Sequence, residues 1–136
     1  MIIDYRKIIE ARGMNAAELT KVPPGARLLN ENEIIPVLSQ FQTGCLELHD
    51  LSSQLTIPGF KLTGRLKKAS FNSTSGEIEL GLDQAVLEKT EPKKTEILTS
   101  ATVYTSLELG TKIILTGDGR LLIDDAPRMV ATLSLN

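Results

Sequence analysis

The sequence predicts an α+β fold in which short N-terminal helices are followed by a largely antiparallel β-sheet, built as a meander or as a small sandwich or barrel. Three observations lead there. Apolar residues recur at helical spacing up to Gly44 and alternate with polar ones beyond it. The residues placed to cap helices, Asp4, Asn15 and Asn30, all precede that change. Turn-forming glycines separate short apolar runs after it. A chain of 136 residues is the length of one domain, and at that size roughly two-thirds of the unfolded surface can be buried. The reading is therefore a single domain over 1–136, with a helical segment at 1–43 and a β-rich segment at 44–136.

Taken in order, Asp4 is placed to cap a helix from Tyr5 to Arg12, with Tyr5, Ile8 and Ile9 on one face and Gly13 at its end. Asn15 and Glu18 have capping-box spacing and predict a second short helix through Leu19. Lys21 to Gly25 contains two prolines and reads as a linker. Asn30 and Glu33 repeat the capping spacing ahead of Ile34, Ile35, Val37, Leu38 and Phe41, a third helix whose Pro36 must lie in the first turn or kink it. After Gly44, Pro58-Gly59 marks a turn between alternating stretches. Ile78, Leu80 and Leu82 form one face of a strand, and Ile97, Thr99, Ala101, Val103, Thr105, Leu107 and Leu109 form one face of another. The charged stretch Asp83 to Lys94 between them reads as a solvated loop or frayed helical turn. Ile113 to Leu115, Leu121 to Ile123 and Met129 to Leu135 close the chain as hairpin-spaced strands.

Composition narrows the function classes. Fifteen basic and seventeen acidic residues give a net charge of −2, which offers no general attraction to phosphate backbones, so nucleic acid is not an expected partner. The lone Cys45 rules out an internal disulfide and a multi-thiolate metal site. No apolar run reaches the ~20 residues of a membrane span, and the first residues, Met1 to Lys7, lack the charge-then-apolar order of a secretory signal. The expected compartment is the cytosol, or the periplasm and outer membrane if a leader has been removed.

Cys45, Glu47, His49 and Asp50 bring a thiol, carboxylates and the only imidazole into six residues, the types from which an activated nucleophile is assembled. Strand alternation puts residues 45, 47 and 49 on one face and Asp50 on the other, and no glycine-rich oxyanion loop precedes the cysteine. Glu47, His49 and Asp50 remain the candidate reacting groups. Asp118, Asp124 and Asp125 lack the ligand ladder of a calcium loop and read as a turn plus a solvated strand end. Glu77 and Glu79 share a strand face but alternate with apolar residues as any wet face does. Lys67-Lys68 and Lys93-Lys94 have no flanking aromatics to stack bases. Asn72-Ser73-Thr74 is a polar turn ahead of Gly76, and Gly117-Asp118-Gly119 is too short for a dinucleotide loop. No cofactor and no metal is expected.

Gly59-Phe60-Lys61-Leu62-Thr63 followed by Ser75 to Leu82, then Thr102 to Gly117, then Leu121-Leu122-Ile123 before Pro127-Arg128-Met129-Val130, form an order of strands and glycine turns. This order over 59–136 resembles the core of bacterial secretins, the ring-forming outer-membrane channels. The proline- and glycine-rich stretch that precedes the closing strand in that family is missing here, so the resemblance implies homo-oligomeric assembly rather than a full channel. The leading expectation is a non-enzymatic binding or assembly module whose partner is another protein or itself. An exposed sheet edge is the expected means, with Met129 to Leu135 as candidate edge strand. The alternatives are a small enzyme or toxin-like protein using Glu47, His49 and Asp50, and an accessory or inhibitor protein of a mobile element.

Overall fold

A computed structural model describes residues 1–6, 24–50, 59–90, 93–107, 111–125 and 129–135. In chain order the elements are β1 (Ile2–Asp4), β2 (Arg27–Leu28), α1 (Glu31–Ser39), β3 (Cys45–Asp50), β4 (Phe60–Phe71), β5 (Glu77–Thr90), β6 (Lys93–Ser106), β7 (Lys112–Leu115), β8 (Leu121–Asp125) and β9 (Met129–Ser134). The strands make one nine-stranded sheet in the order β1-β6-β5-β4-β3-β9-β8-β7-β2. Every neighbouring pair is antiparallel except β1 with β6. The sheet curls into a half-barrel, and its inner face carries the core.

The expected β-rich architecture is present, and two consecutive antiparallel runs, β4-β5-β6 and β7-β8-β9, are joined by β3, which lies between β4 and β9. The helical part differs. Among the described residues there is one helix, α1. Its start is as the spacing predicts: the Asn30 side chain accepts from the Glu33 N–H at 3.2 Å and the Glu33 carboxylate accepts from the Asn30 N–H at 3.3 Å. Ile34 and Leu38, one turn apart, are buried against β4. Pro36 lies inside the helix, beyond the first turn, on an exposed position where its missing N–H meets water rather than core. The helix expected from Tyr5 is absent at its start, since Ile2–Asp4 is a strand that inserts Ile3 and Tyr5 into the core. Its remainder and the Asn15 helix lie outside the described residues, as do most of the Lys21–Gly25 linker and Pro58.

Three strand expectations are corrected. Asp83 to Lys94 is not a loop: its described residues belong to one long hairpin in which β5 pairs with β6 from Glu77↔Ser106 to Thr90↔Lys93. Charge and Pro92 make that stretch look solvated, but Ala85 and Leu87 are fully buried, Lys89 on their parity is partly buried, and Asp83, Glu88, Lys93 and Lys94 are exposed. The single parity expected from Ile97 to Thr105 also breaks. Ala101, Val103 and Thr105 face the core, whereas Ile97 is 85% exposed and Leu98 turns inward. Gln84, the only non-glycine residue with positive φ among those described (61°), lies across from this break, and the β4–β5 register shifts beside it. A bulge of this kind reverses which parity faces inward. Finally, β9 is not an edge: it is hydrogen-bonded to β3 on one side and β8 on the other.

Two turns are as expected. The Asn72 carboxamide accepts from the N–H groups of Thr74 and Ser75, and Gly76 at φ 76° closes the β4–β5 hairpin. Gly117 to Gly119 joins β7 to β8. Gly44 answers a tighter constraint, because a Cβ there would lie 2.3 Å from the Ser134 carbonyl oxygen where the chain leaves α1 and enters the sheet beside β9.

Candidate binding surface

Pleating and register decide where the candidate residues go. On β3, Leu46, Leu48 and Asp50 point into the core, and Cys45, Glu47 and His49 point out. The outward row through His49 continues across the sheet as Lys61, Glu88 and Thr95, and the row through Glu47 continues as Thr63, Val86 and Ile97.

The three candidate reacting groups are thus divided between two faces. Outside, the Glu47 carboxylate lies 3.2 Å from the Lys61 ammonium and 3.5 Å from His49 Nε2. The hydrogen bond from Lys61 is the largest influence holding Glu47 below the usual carboxylate range, with a smaller contribution from His49. A carboxylate so held stays ionised, which suits a structural anion better than a general acid. Inside, Asp50 is 4% exposed and accepts a 2.7 Å hydrogen bond from the Tyr5 hydroxyl. His49 and Asp50 do line one cavity of about 560 Å³ at the end of β3, β4, β5 and β6, with Phe60, Lys61, Lys93 and Thr95 among its other walls. Cys45 sits four residues along β3 from His49, roughly 13 Å at strand rise, too far for a thiol–imidazole pair.

Several of the other acidic residues have local partners among the described residues. Glu77 pairs with Arg6 and Glu79 with Lys68, both at 3.0 Å, so they do not form an acid–base couple. Arg6 also bonds Asp4 at 2.7 Å and lies 4.3 Å over the Tyr104 ring, which fastens β1 to β6. Its guanidinium is raised further from neutrality, chiefly by the Asp4 hydrogen bond. Asp118 is held in its turn by Thr116 and Arg120. Asp125, read from sequence as part of a solvated strand end, is fully buried on the inner face, because the pairing Asp125↔Met129↔Asp50 carries it inward. Among the described residues no three His, Cys, Asp or Glu side chains gather as a metal site requires. No described helix is long and apolar enough to cross a membrane.

The feature that sequence reasoning missed is the outer edge of β6. β1 covers only Thr102 to Tyr104, and the Met1 ammonium reaches the Ser100 carbonyl at 3.4 Å. From Lys93 to Thr99, no strand among the described residues pairs on that side. Ile97, the most exposed large apolar side chain among those described, lies in the middle of this stretch, and Lys93 and Thr95 beside it also wall the cavity. Only the breakdown of parity at Ile97 could have signalled it, and that depends on a bulge in neighbouring strands. No protein-family model matches this chain, and no curated protein or solved structure matches it.

Proposed function

We propose that this protein is a non-enzymatic binding or assembly module that accepts an extended strand along the outer edge of β6. The observation that carries the reading is the Lys93–Thr99 stretch, where no described strand pairs and the exposed Ile97 adds an apolar anchor to the backbone hydrogen-bonding groups that strand addition uses. β1 supports it from within the same chain: a three-residue segment is already held on this edge by backbone pairing, a buried Ile3 and the Arg6 clamp. The likeness of 59–136 to the secretin core points the same way, toward assembly rather than catalysis.

Selection of random extended peptides on the immobilised protein tests this, with Ile97→Lys as the counter-target. Ile97 is so exposed that the variant keeps the fold. Peptides rich in β-branched and aromatic residues that bind wild type and lose affinity at least ~10-fold on the variant are expected, a change of about 1.4 kcal/mol. If no peptide discriminates and the protein also fails to associate with itself, the edge-binding reading is wrong.

The alternative of a small enzyme keeps one specific observation, the cavity shared by His49 and Asp50. That reading requires His49→Ala to abolish an activity found by substrate screening, and an activity that survives the substitution removes it.

A further inference from the structure

The β6 edge carries its own complement. From Lys93 to Thr99 the residues are Lys-Lys-Thr-Glu-Ile-Leu-Thr, and an antiparallel pairing of this strand with a second copy about a two-fold axis must be centred on one residue. Each centre sets different cross-strand neighbours, and directly opposed charges decide between them. Centring on Lys94 or on Glu96 would set like charges face to face. Centring on Ile97 would set Lys94 against Ser100 of the other copy, where the Met1 ammonium already occupies the carbonyl and β1 begins. Centring on Thr95 sets Lys94 against Glu96 twice, lays the aliphatic stem of Lys93 over the exposed Ile97 twice, and stays clear of β1.

Resting on the strand-acceptor reading above, we infer that the occupant of this edge is a second copy of the chain, joined β6 to β6 in the register centred on Thr95. Lys93 and Lys94 then have two roles. They discourage unregistered edge pairing, as lysines on sheet edges do, and they admit the one register that brings a glutamate opposite. Glu96 is already engaged by Lys89 at 3.1 Å and Lys94 at 3.3 Å within its own chain, so the second lysine across the axis extends an existing charge network. Five paired residues cover less than the roughly 1,200 Å² of a standard stable interface. The dimer is accordingly weak and concentration-dependent.

The test is light scattering during size exclusion at loads from ~10 μM to ~1 mM, the range in which an undersized interface dissociates. Wild type should rise from the 14.8 kDa monomer mass toward twice that value. Lys94→Glu and Glu96→Lys should each remain monomeric, since each puts like charges across the axis. Mixed in equal amounts they should dimerise again, because the two acidic side chains of the first variant then face the two basic side chains of the second. That rescue cannot come from the ion pair within one chain, which neither variant regains. A wild-type monomer at the highest load, or a mixture that stays monomeric, overturns the inference. If peptide selection still finds Ile97-dependent ligands in either case, strand acceptance stands and only the identity of the occupant is wrong.

Discussion

Single residues in this protein are constrained most where a polar group enters the core. Tyr5 is fully buried and donates to Asp50, so Tyr5→Phe leaves the ring packed but deprives a buried carboxylate of one donor. Loss of one buried hydrogen bond predicts destabilisation of about 1 kcal/mol, measurable by urea unfolding with an unchanged m-value. On the outer face, Glu47 offers a titration test. Its carboxyl is held low, first by Lys61, so the folded state favours the ionised form. Its stabilising contribution is present above the ordinary glutamate pKa and is lost as pH falls through the lowered one. In a carbon-detected NMR titration, Lys61→Met should move the Glu47 midpoint upward toward the ordinary value. A midpoint that does not move would show that Lys61 is not the cause. His49, the residue most conspicuous in the sequence, was legible as sharing a strand face with Cys45 and Glu47. Its separation from Asp50 in orientation follows from alternation, but Asp50's partner, Tyr5, is 45 residues away in the chain and no local pattern announces it.

Elements are set by local chemistry where caps and turns act, and by neighbours where strands pair. The α1 capping box was legible because both hydrogen bonds lie within four residues. Asn30→Ala should cost about 1 kcal/mol, read as a lower thermal midpoint with little change elsewhere in the sheet. Gly44→Ala should cost more, about 2–3 kcal/mol by overpacking, because the added Cβ meets the fixed Ser134 carbonyl. Amide exchange should then speed up at the β3–β9 junction before other parts of the sheet. The β5–β6 hairpin was only partly legible. Its core half alternates cleanly, but its distal half alternates charge with apolar residues around Pro92 and imitates a loop. Cross-strand pairing, including Lys89 with Glu96 at 3.1 Å, stabilises as strand what local composition presents as solvated.

At the scale of the whole molecule, long-range pairing dominates. β1 pairs with residues a hundred positions away, and β3 joins β4 to β9, the last strand. Such topology folds slowly, on the millisecond-to-second scale of non-local β-proteins. It also makes β9 indispensable. Removing residues 126–136 would take out the strand between β3 and β8 and expose both, so the truncated chain should lose its cooperative thermal transition and near-ultraviolet dichroism. Removing Met1 to Asp4 should instead leave a folded sheet with a longer open β6 edge, and, if that edge pairs with a second copy, stronger association.

The sequence by itself determined the β-rich class, the capped helix at Asn30, the turns at Asn72 and Gly117, and the shared face of Ile78, Leu80 and Leu82 and of Ala101, Val103 and Thr105. These follow from hydrogen bonds and periodicities within a few residues. Tertiary structure alone decided that Ile2–Asp4 is a strand, that Asp125 is buried, that β9 is central, and that β6 from Lys93 to Thr99 has no outer strand beside it among the described residues. Each of those depends on which strands lie side by side, and strand order is fixed by how the whole inner face closes over one core, a property no short window of sequence contains.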